Sequence, residues 1–490
     1  MSIAETFLLA DTSERLTLLK DDGNKPELSR LLGEQVYAEL RKVADRRFGG
    51  SHLARGGPKN MIFVPGIMGT LLMNSSLSGI WWIDVRTRNY IDRLGLSPDG
   101  TKDADGGEDV TPATADPTYF PFLSAAQDQP GLNHEIFPYD WRKSPLHSAA
   151  ALRDLVLKLH QNNGGNEVHI VAHSLGGLIV RAALMEHGAE LWPRIGKIVF
   201  IGTPHYGATA IAGYLKNHLW GFEMMAVLGH YLSRATLRSL WGVINLLPAP
   251  REIYPGTRPS DAHPWQPDDA GDPYVHPCVN FDLYKADAWK LELDAGETAK
   301  LQTILDASAD FHKRMYQAHR DLDQSQRNKM VVIAGVGFDT LFRLAYTSGL
   351  TSLWKTMNKV FDRVLNDPHR DGDGRVPVAS ARLENVGDTR YVRGVHGGLT
   401  NIPAVYNDVF SYLKGQAMQL PQTVPGALST HLAGSVASEA PHLDGSASAP
   451  AFSSNPGLWN IEAPSADRMA ELEGMLEADQ LPGFSRIRLL

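Results

Sequence analysis

Val168-His169-Ile170-Val171-Ala172-His173-Ser174-Leu175-Gly176-Gly177-Leu178-Ile179-Val180 is the stretch whose reading decides the fold. Val168–Ala172 is short and rich in Val and Ile, which predicts a strand buried on both faces. Leu175 onward reads as an apolar helix. Ser174 stands at the abrupt junction between them. A serine so placed occupies a tight, strained turn that lifts its Oγ above the sheet. Strand and helix must then approach closely, which calls for small residues on either side: Ala172, Gly176 and Gly177. Alanine stands where the first glycine of such a turn is usual, and a methyl group can be accommodated there.

Working outward, the strongest further strands are Met61–Val64, Lys197–Gly202 and Met330–Gly335, again short and apolar. Leu146–Gln161 reads as a helix with Leu152, Leu155, Val156 and Leu159 on one stripe, ended by Gly164-Gly165. This alternation, over residues 59–414, predicts an α/β domain; with the serine turn at Ser174 it is read as an α/β-hydrolase fold, a mostly parallel central sheet flanked by helices. Residues 208–328 carry few strand signals and read as an inserted, mainly helical cap or lid. Residues 1–58 form a leader with one amphipathic helix, Pro26 to about Phe48. Residues 415–464 are rich in Ser, Ala, Gly and Pro and read as a flexible linker, and 465–490 as a short helical tail.

Composition narrows the partners. Lys plus Arg total 47 against 55 Asp plus Glu, a formal charge of −8, which argues against general nucleic-acid binding. The single cysteine, Cys278, excludes an intramolecular disulfide. No cleavable signal peptide is legible near Met1, and no run of about 18 apolar residues is present. A cytoplasmic protein is the expectation, with signal-independent export left open.

A serine hydroxyl needs a base, and the base needs an acid to orient it. In α/β-hydrolases these follow in the order Ser, acid, His. Asp373 lies in Asp371-Gly372-Asp373-Gly374-Arg375-Val376-Pro377-Val378, and His396 in Gly394-Val395-His396-Gly397-Gly398. Asp339 and Asp371 compete for the acid role, and His173 and His205 for the base, although both histidines precede every candidate acid. Residues 367–378 brush against a calcium-loop pattern, but His369 and Val378 fill positions that need oxygen ligands. No metal or cofactor is expected. The oxyanion needs two backbone N–H groups: Leu175, after the serine, and Ile67, in the turn Pro65-Gly66-Ile67-Met68-Gly69.

Five motifs occur in order: Val64–Thr70, Ile80-Trp81-Trp82-Ile83-Asp84, Pro138-Tyr139-Asp140-Trp141-Arg142, Ala172–Gly177 and Gly372–Val376. Together they resemble the lecithin:cholesterol acyltransferase family, which includes lysosomal phospholipase A2 and phospholipid:diacylglycerol acyltransferases. Gly202-Thr203-Pro204-His205-Tyr206-Gly207 is similar to the strand-end loop of related lipases. The resemblance implies a triad of Ser174, Asp373 and His396, an oxyanion hole from Ile67 and Leu175, and a lipid ester as acyl donor. Two departures stand out. The lone cysteine cannot supply the disulfides of animal members, and Gly397-Gly398 after His396 matches bacterial relatives better.

Asp140, Trp141 and Arg142 are expected to anchor a loop. Met68, Trp81, Trp82, Met224, Met225 and Leu228 are the candidate acyl-pocket residues, with core packing of the cap as the competing reading of the last three. The expected function is a serine-dependent lipid ester hydrolase or O-acyltransferase. Its substrate would be a lipid ester or phospholipid, met at a membrane surface. An esterase or thioesterase for soluble substrates, or a non-catalytic binding protein, are the alternatives. A protein partner for 1–58 or 465–490 is left open.

Overall fold

The computed structural model describes residues 3, 6–7, 10, 12–32, 37–38, 41, 44–45, 59–74, 79–82, 94–107, 110–215, 234–255, 277, 281–291, 293–340, 342 and 371–424. Its strands in chain order are β1 (Met61–Val64), β2 (Thr70–Asn74), β3 (Gly79–Trp82), β4 (Val110–Ala115), β5 (His134–Ile136) and β6 (Val168–His173). They continue with β7 (Ile195–Ile201), β8 (Met330–Val336), β9 (Phe338–Asp339), β10 (Asp371–Gly372) and β11 (Asp388–Arg393). Six form the central sheet in the order β11-β8-β7-β6-β1-β5, every neighbouring pair parallel. β3-β2-β4 make a small antiparallel sheet, and β9 pairs with β10.

The helices used below are α1 (Thr12–Lys20), α2 (Lys25–Leu32), α3 (Phe120–Gln127), α4 (Pro145–Asn162), α5 (Leu175–Leu191), α6 (Ala295–Arg320) and α7 (Pro403–Leu413). Side chains alternate across a strand, so each central strand feeds two cores. Ile62, Val64, Ile170, Ala172, Ile198, Phe200, Val332 and Ala334 share one core with Leu152 and Val156 of α4, Leu178 of α5 and Leu305 of α6. Met61, Phe63, Val171, Val199, Ile201, Val331 and Ile333 share the other with Phe122 of α3 and Val409 of α7. Burying one such side chain contributes about 1.5–3 kcal/mol. This is the doubly covered parallel sheet of the α/β-hydrolase fold.

Several expectations shift in detail. α6, which falls within the stretch read as cap, packs its apolar face into the core of the central sheet and against α5. Residues 415–424, assigned by composition to the flexible linker, lie against the sheet instead. Met418 and Leu420 are buried, Asp408 Oδ2 accepts from the N–H groups of Gln419 and Leu420, and Tyr391 N–H donates to the Pro421 carbonyl. The leader has α1 ahead of the expected helix, which begins at Lys25. Phe7, Leu16, Leu19 and Leu28 of the leader pack on Phe120 of α3, and Arg15 Nη2 donates to the Ala115 carbonyl. Among the described residues, no helix is long and apolar enough to cross a membrane.

Candidate active site

β1, β6, β7, β8 and β11 all end on the same edge of the sheet, where an open α/β sheet presents its loops to ligands. Ser174 follows β6 directly, with φ 51° and ψ −126°, and begins α5. That backbone is strained for a residue with a Cβ and persists only where its surroundings enforce it. The Ser174 N–H donates to the Ile201 carbonyl at 3.0 Å. A Cβ at Gly176 would lie 2.4 Å from the Pro65 carbonyl oxygen, and one at Gly177 would lie 2.1 Å from Thr203 Oγ1. Those approaches explain both glycines.

His396 follows β11, in the turn of 3-10 helix His396–Asn401. Its Nε2 is 2.8 Å from Ser174 Oγ and its Nδ1 is 2.7 Å from Asp373 Oδ2. Asp373 Oδ1 accepts from the N–H groups of Arg375 and Val376, at 3.0 and 2.7 Å. The carboxylate is therefore aimed by its own loop. Ser174, Asp373 and His396 are all at most 4% exposed. The competing acids lie elsewhere. Asp371 Oδ1 accepts from the Gly337 N–H at 2.6 Å, and Asp339 is Asp371's backbone partner across β9 and β10.

The turn after β1 supplies the second wall. Gly66 N–H donates to Tyr119 Oη at 2.9 Å and Gly69 N–H to the Gly66 carbonyl at 3.1 Å. Among the described residues, neither the Ile67 nor the Leu175 N–H meets a protein acceptor. The turn is braced from below: Tyr139 Oη donates to the Pro65 carbonyl at 2.9 Å and Trp141 Nε1 to the Thr70 carbonyl at 3.2 Å. Next to Trp141, the buried Arg142 guanidinium bonds both oxygens of Asp140, at 2.9 and 2.7 Å, and Asp103 Oδ1 at 2.8 Å. Asp103 was not foreseen; no spacing ties it to Arg142.

Residues 132–257 match the lecithin:cholesterol acyltransferase family. That lecithin:cholesterol acyltransferase match contains Pro138–Arg142, Ser174 and the Gly202–Gly207 loop. Among solved structures, the Tle4–Tli4 complex is similar at 17% identity and a TM-score of 0.44, over 73% of this chain and 97% of that one. Mature Bacillus licheniformis lipase BlEst2 is similar at 15% identity and a TM-score of 0.32, over 74% and 94%. No curated protein sequence matches.

The other sequence candidates scatter. His173 is fully buried beneath Ser174, and burial, then the neighbouring His396, holds its pKa down at about 3. His205 is buried beside Arg181 and is likewise held well below its ordinary range, by burial first. Met68 is buried with φ 57° and packs in the core beside Ile67. Trp81 and Trp82 end β3, but their side chains fall outside the description, as do Met224, Met225 and Leu228 entirely. Among the described residues no cluster of His, Cys, Asp and Glu could hold a metal ion. Tyr119 is the site residue that sequence reasoning missed. Its one signal is Pro117-Thr118-Tyr119, a turn placed directly before an apolar helix.

Proposed function

We propose that this chain is a serine-dependent lipid ester hydrolase or O-acyltransferase working through an acyl-enzyme on Ser174. The observation that carries the reading is the continuous hydrogen-bonded path from Ser174 Oγ through His396 to Asp373. In this reading His396 Nε2 accepts the Ser174 hydroxyl proton as Oγ attacks the ester carbonyl, while Asp373 accepts from Nδ1–H and holds the tautomer. The tetrahedral oxygen, now negative, faces the N–H groups of Ile67 and Leu175. His396 then returns its proton to the departing alcohol oxygen, leaving the acyl group on Ser174. Water or an alcohol, deprotonated by His396, attacks that ester and releases free acid or a new ester. A lipid as the acyl donor rests on the lecithin:cholesterol acyltransferase match.

The test uses purified protein, a fluorophosphonate probe, short p-nitrophenyl esters and vesicles of labelled phospholipid with and without an added long-chain alcohol. Labelling and acid release, both lost in Ser174→Ala, are expected. Free fatty acid alone would assign a hydrolase, and a new ester a transferase. Absence of labelling in the wild type would refute the mechanism and favour a binding role. Cleavage of soluble esters with none of vesicle lipid would refute the lipid assignment.

A further inference from the structure

Two side chains next to Ser174 take no chemical step in the mechanism above, yet both are buried with every polar atom engaged. Tyr119 Oη accepts the Gly66 N–H at 2.9 Å and lies 2.8 Å from His173 Nδ1. His173 Nε2 lies 3.0 Å from the backbone carbonyl oxygen of His396. A carbonyl can only accept, so His173 carries its proton on Nε2 and its Nδ1 accepts from the tyrosine hydroxyl. One proton arrangement satisfies the whole chain: Gly66 N–H to Tyr119, Tyr119 O–H to His173, His173 N–H to His396. The His396 N–H continues it to the Asp373 carbonyl at 2.9 Å. Tyr119 is 2% exposed and His173 0%. Burial keeps the imidazole neutral, as that arrangement requires.

The two ends of this chain are informative. One is the peptide just before Ile67, the expected oxyanion donor; the other is the main chain of the expected base. Contact reinforces the bonds. A Cβ at Gly66 would lie 2.9 Å from Ser174 Cβ and 3.1 Å from both His173 Nδ1 and Tyr119 Oη. The His173 and His396 rings lie 5.0 Å apart, tilted by 36°.

We propose that Tyr119 and His173 are positioning residues that hold the oxyanion turn Pro65–Gly69 and His396 in one fixed mutual geometry. The proposal rests on the reading of Ser174 as nucleophile. A positioning role acts on the transition state more than on substrate binding, so it lowers kcat and leaves KM nearly alone. A role in packing alone would lower stability and leave the kcat of the folded fraction intact.

The experiment compares wild type with Tyr119→Phe, His173→Gln and His173→Asn. It measures kcat and KM on a short p-nitrophenyl ester, the Ki of a trifluoromethyl ketone that forms a tetrahedral adduct on serine, and thermal unfolding. Tyr119→Phe is expected to lose about 10- to 100-fold in kcat, with ketone affinity falling alongside and KM within about twofold. His173→Gln keeps a donor for His396 and loses the acceptor for Tyr119, so it should behave like Tyr119→Phe. His173→Asn keeps an acceptor for Tyr119 and loses the donor to His396. It should lose kcat yet retain ketone affinity better. Folded variants with kcat and ketone affinity within about twofold of wild type would overturn the proposal, as would a loss expressed in KM alone. If Tyr119→Phe does not fold, His173→Gln decides alone. Wild type that resists the fluorophosphonate overturns the nucleophile reading and this proposal with it, whereas labelled wild type with unaffected variants overturns this one only.

Discussion

Lowering the pH from 7 to 5 should strip this protein of much of its stability, and the cause is four buried imidazoles. His173, His205 and His312 are at most 1% exposed and His319 7%. Burial, the largest cause for each, holds His173 and His312 at about 3 and His319 at about 4, and pushes His205 down as well. Arg181, buried with its guanidinium donating to the carbonyls of His205 and Met315, adds repulsion at His205, His312 and His319. In the unfolded chain each imidazole titrates near its ordinary value of about 6.5. Below that pH the unfolded state binds protons that the folded state refuses, so folding stability falls with pH. The stabilisation is complete above about 6.5 and drains away toward the folded-state values near 3 to 4.

Between pH 7 and 5 His173, His312 and His319 each contribute about 2 kcal/mol to this loss, about 6 kcal/mol together, and His205 acts in the same direction. A domain's whole stability is about 5–15 kcal/mol. Most carboxylates titrate below this window, which isolates the histidines. The assay is urea unfolding followed by tryptophan fluorescence at both pH values, for wild type and His312→Asn. The variant has its own cost at each pH, but the difference between the two pH values should shrink by about 2 kcal/mol. A wild-type difference of under about 1 kcal/mol, or an unchanged difference in the variant, would refute the argument.

Three further outcomes follow from the same geometry. Arg142→Met strands Asp140 and Asp103 in the interior and should cost about 3–5 kcal/mol in denaturant unfolding, part of it recovered by adding Asp140→Asn. Gly177→Ala drives a methyl into Thr203, whose Oγ1 would be 2.1 Å away. It should destabilise by about 1–3 kcal/mol and be partly relieved by Thr203→Gly, read by thermal melts. Asp373→Asn should lower kcat by about 10³- to 10⁴-fold on a p-nitrophenyl ester, while Asp371→Asn and Asp339→Asn stay within about tenfold of wild type.

The parts of the fold that were legible are those set by neighbours in sequence. The parallel strands announced themselves because burial on both faces favours short apolar runs rich in Val and Ile, and β1, β6, β7 and β8 carry them. The turn at Ser174 was legible because the two close approaches at Gly176 and Gly177 admit no side chain. β4 was hidden by Pro112 and by a burial pattern of one buried residue at each end. Residues 415–424 were hidden for a different reason. They open a stretch, 415–464, whose composition is that of a linker, but Asp408 accepts from the N–H groups of Gln419 and Leu420 and the sheet edge accepts Met418. Such capture depends on a surface that only the folded domain presents.

The candidate site divides along the same line. Chain order brought Asp373 and His396 forward but left Asp371 and Asp339 in contention, because the choice rests on bonds between residues 23 and 222 positions apart. His173 shows how a local pattern can mislead and still contain the answer. As a histidine beside the serine it competed for the role of base. Strand alternation places it on the face of Val171, opposite Ala172, so its ring enters the layer that holds Tyr119 and α7. Both its nitrogens are then occupied, by Tyr119 and by the His396 carbonyl, and neither is left to accept a proton from Ser174. The face was readable from period two alone. The partners, 54 and 223 residues away, were not. The same bonds that occupy both nitrogens of His173 tie it to His396, the imidazole that Ser174 Oγ does meet.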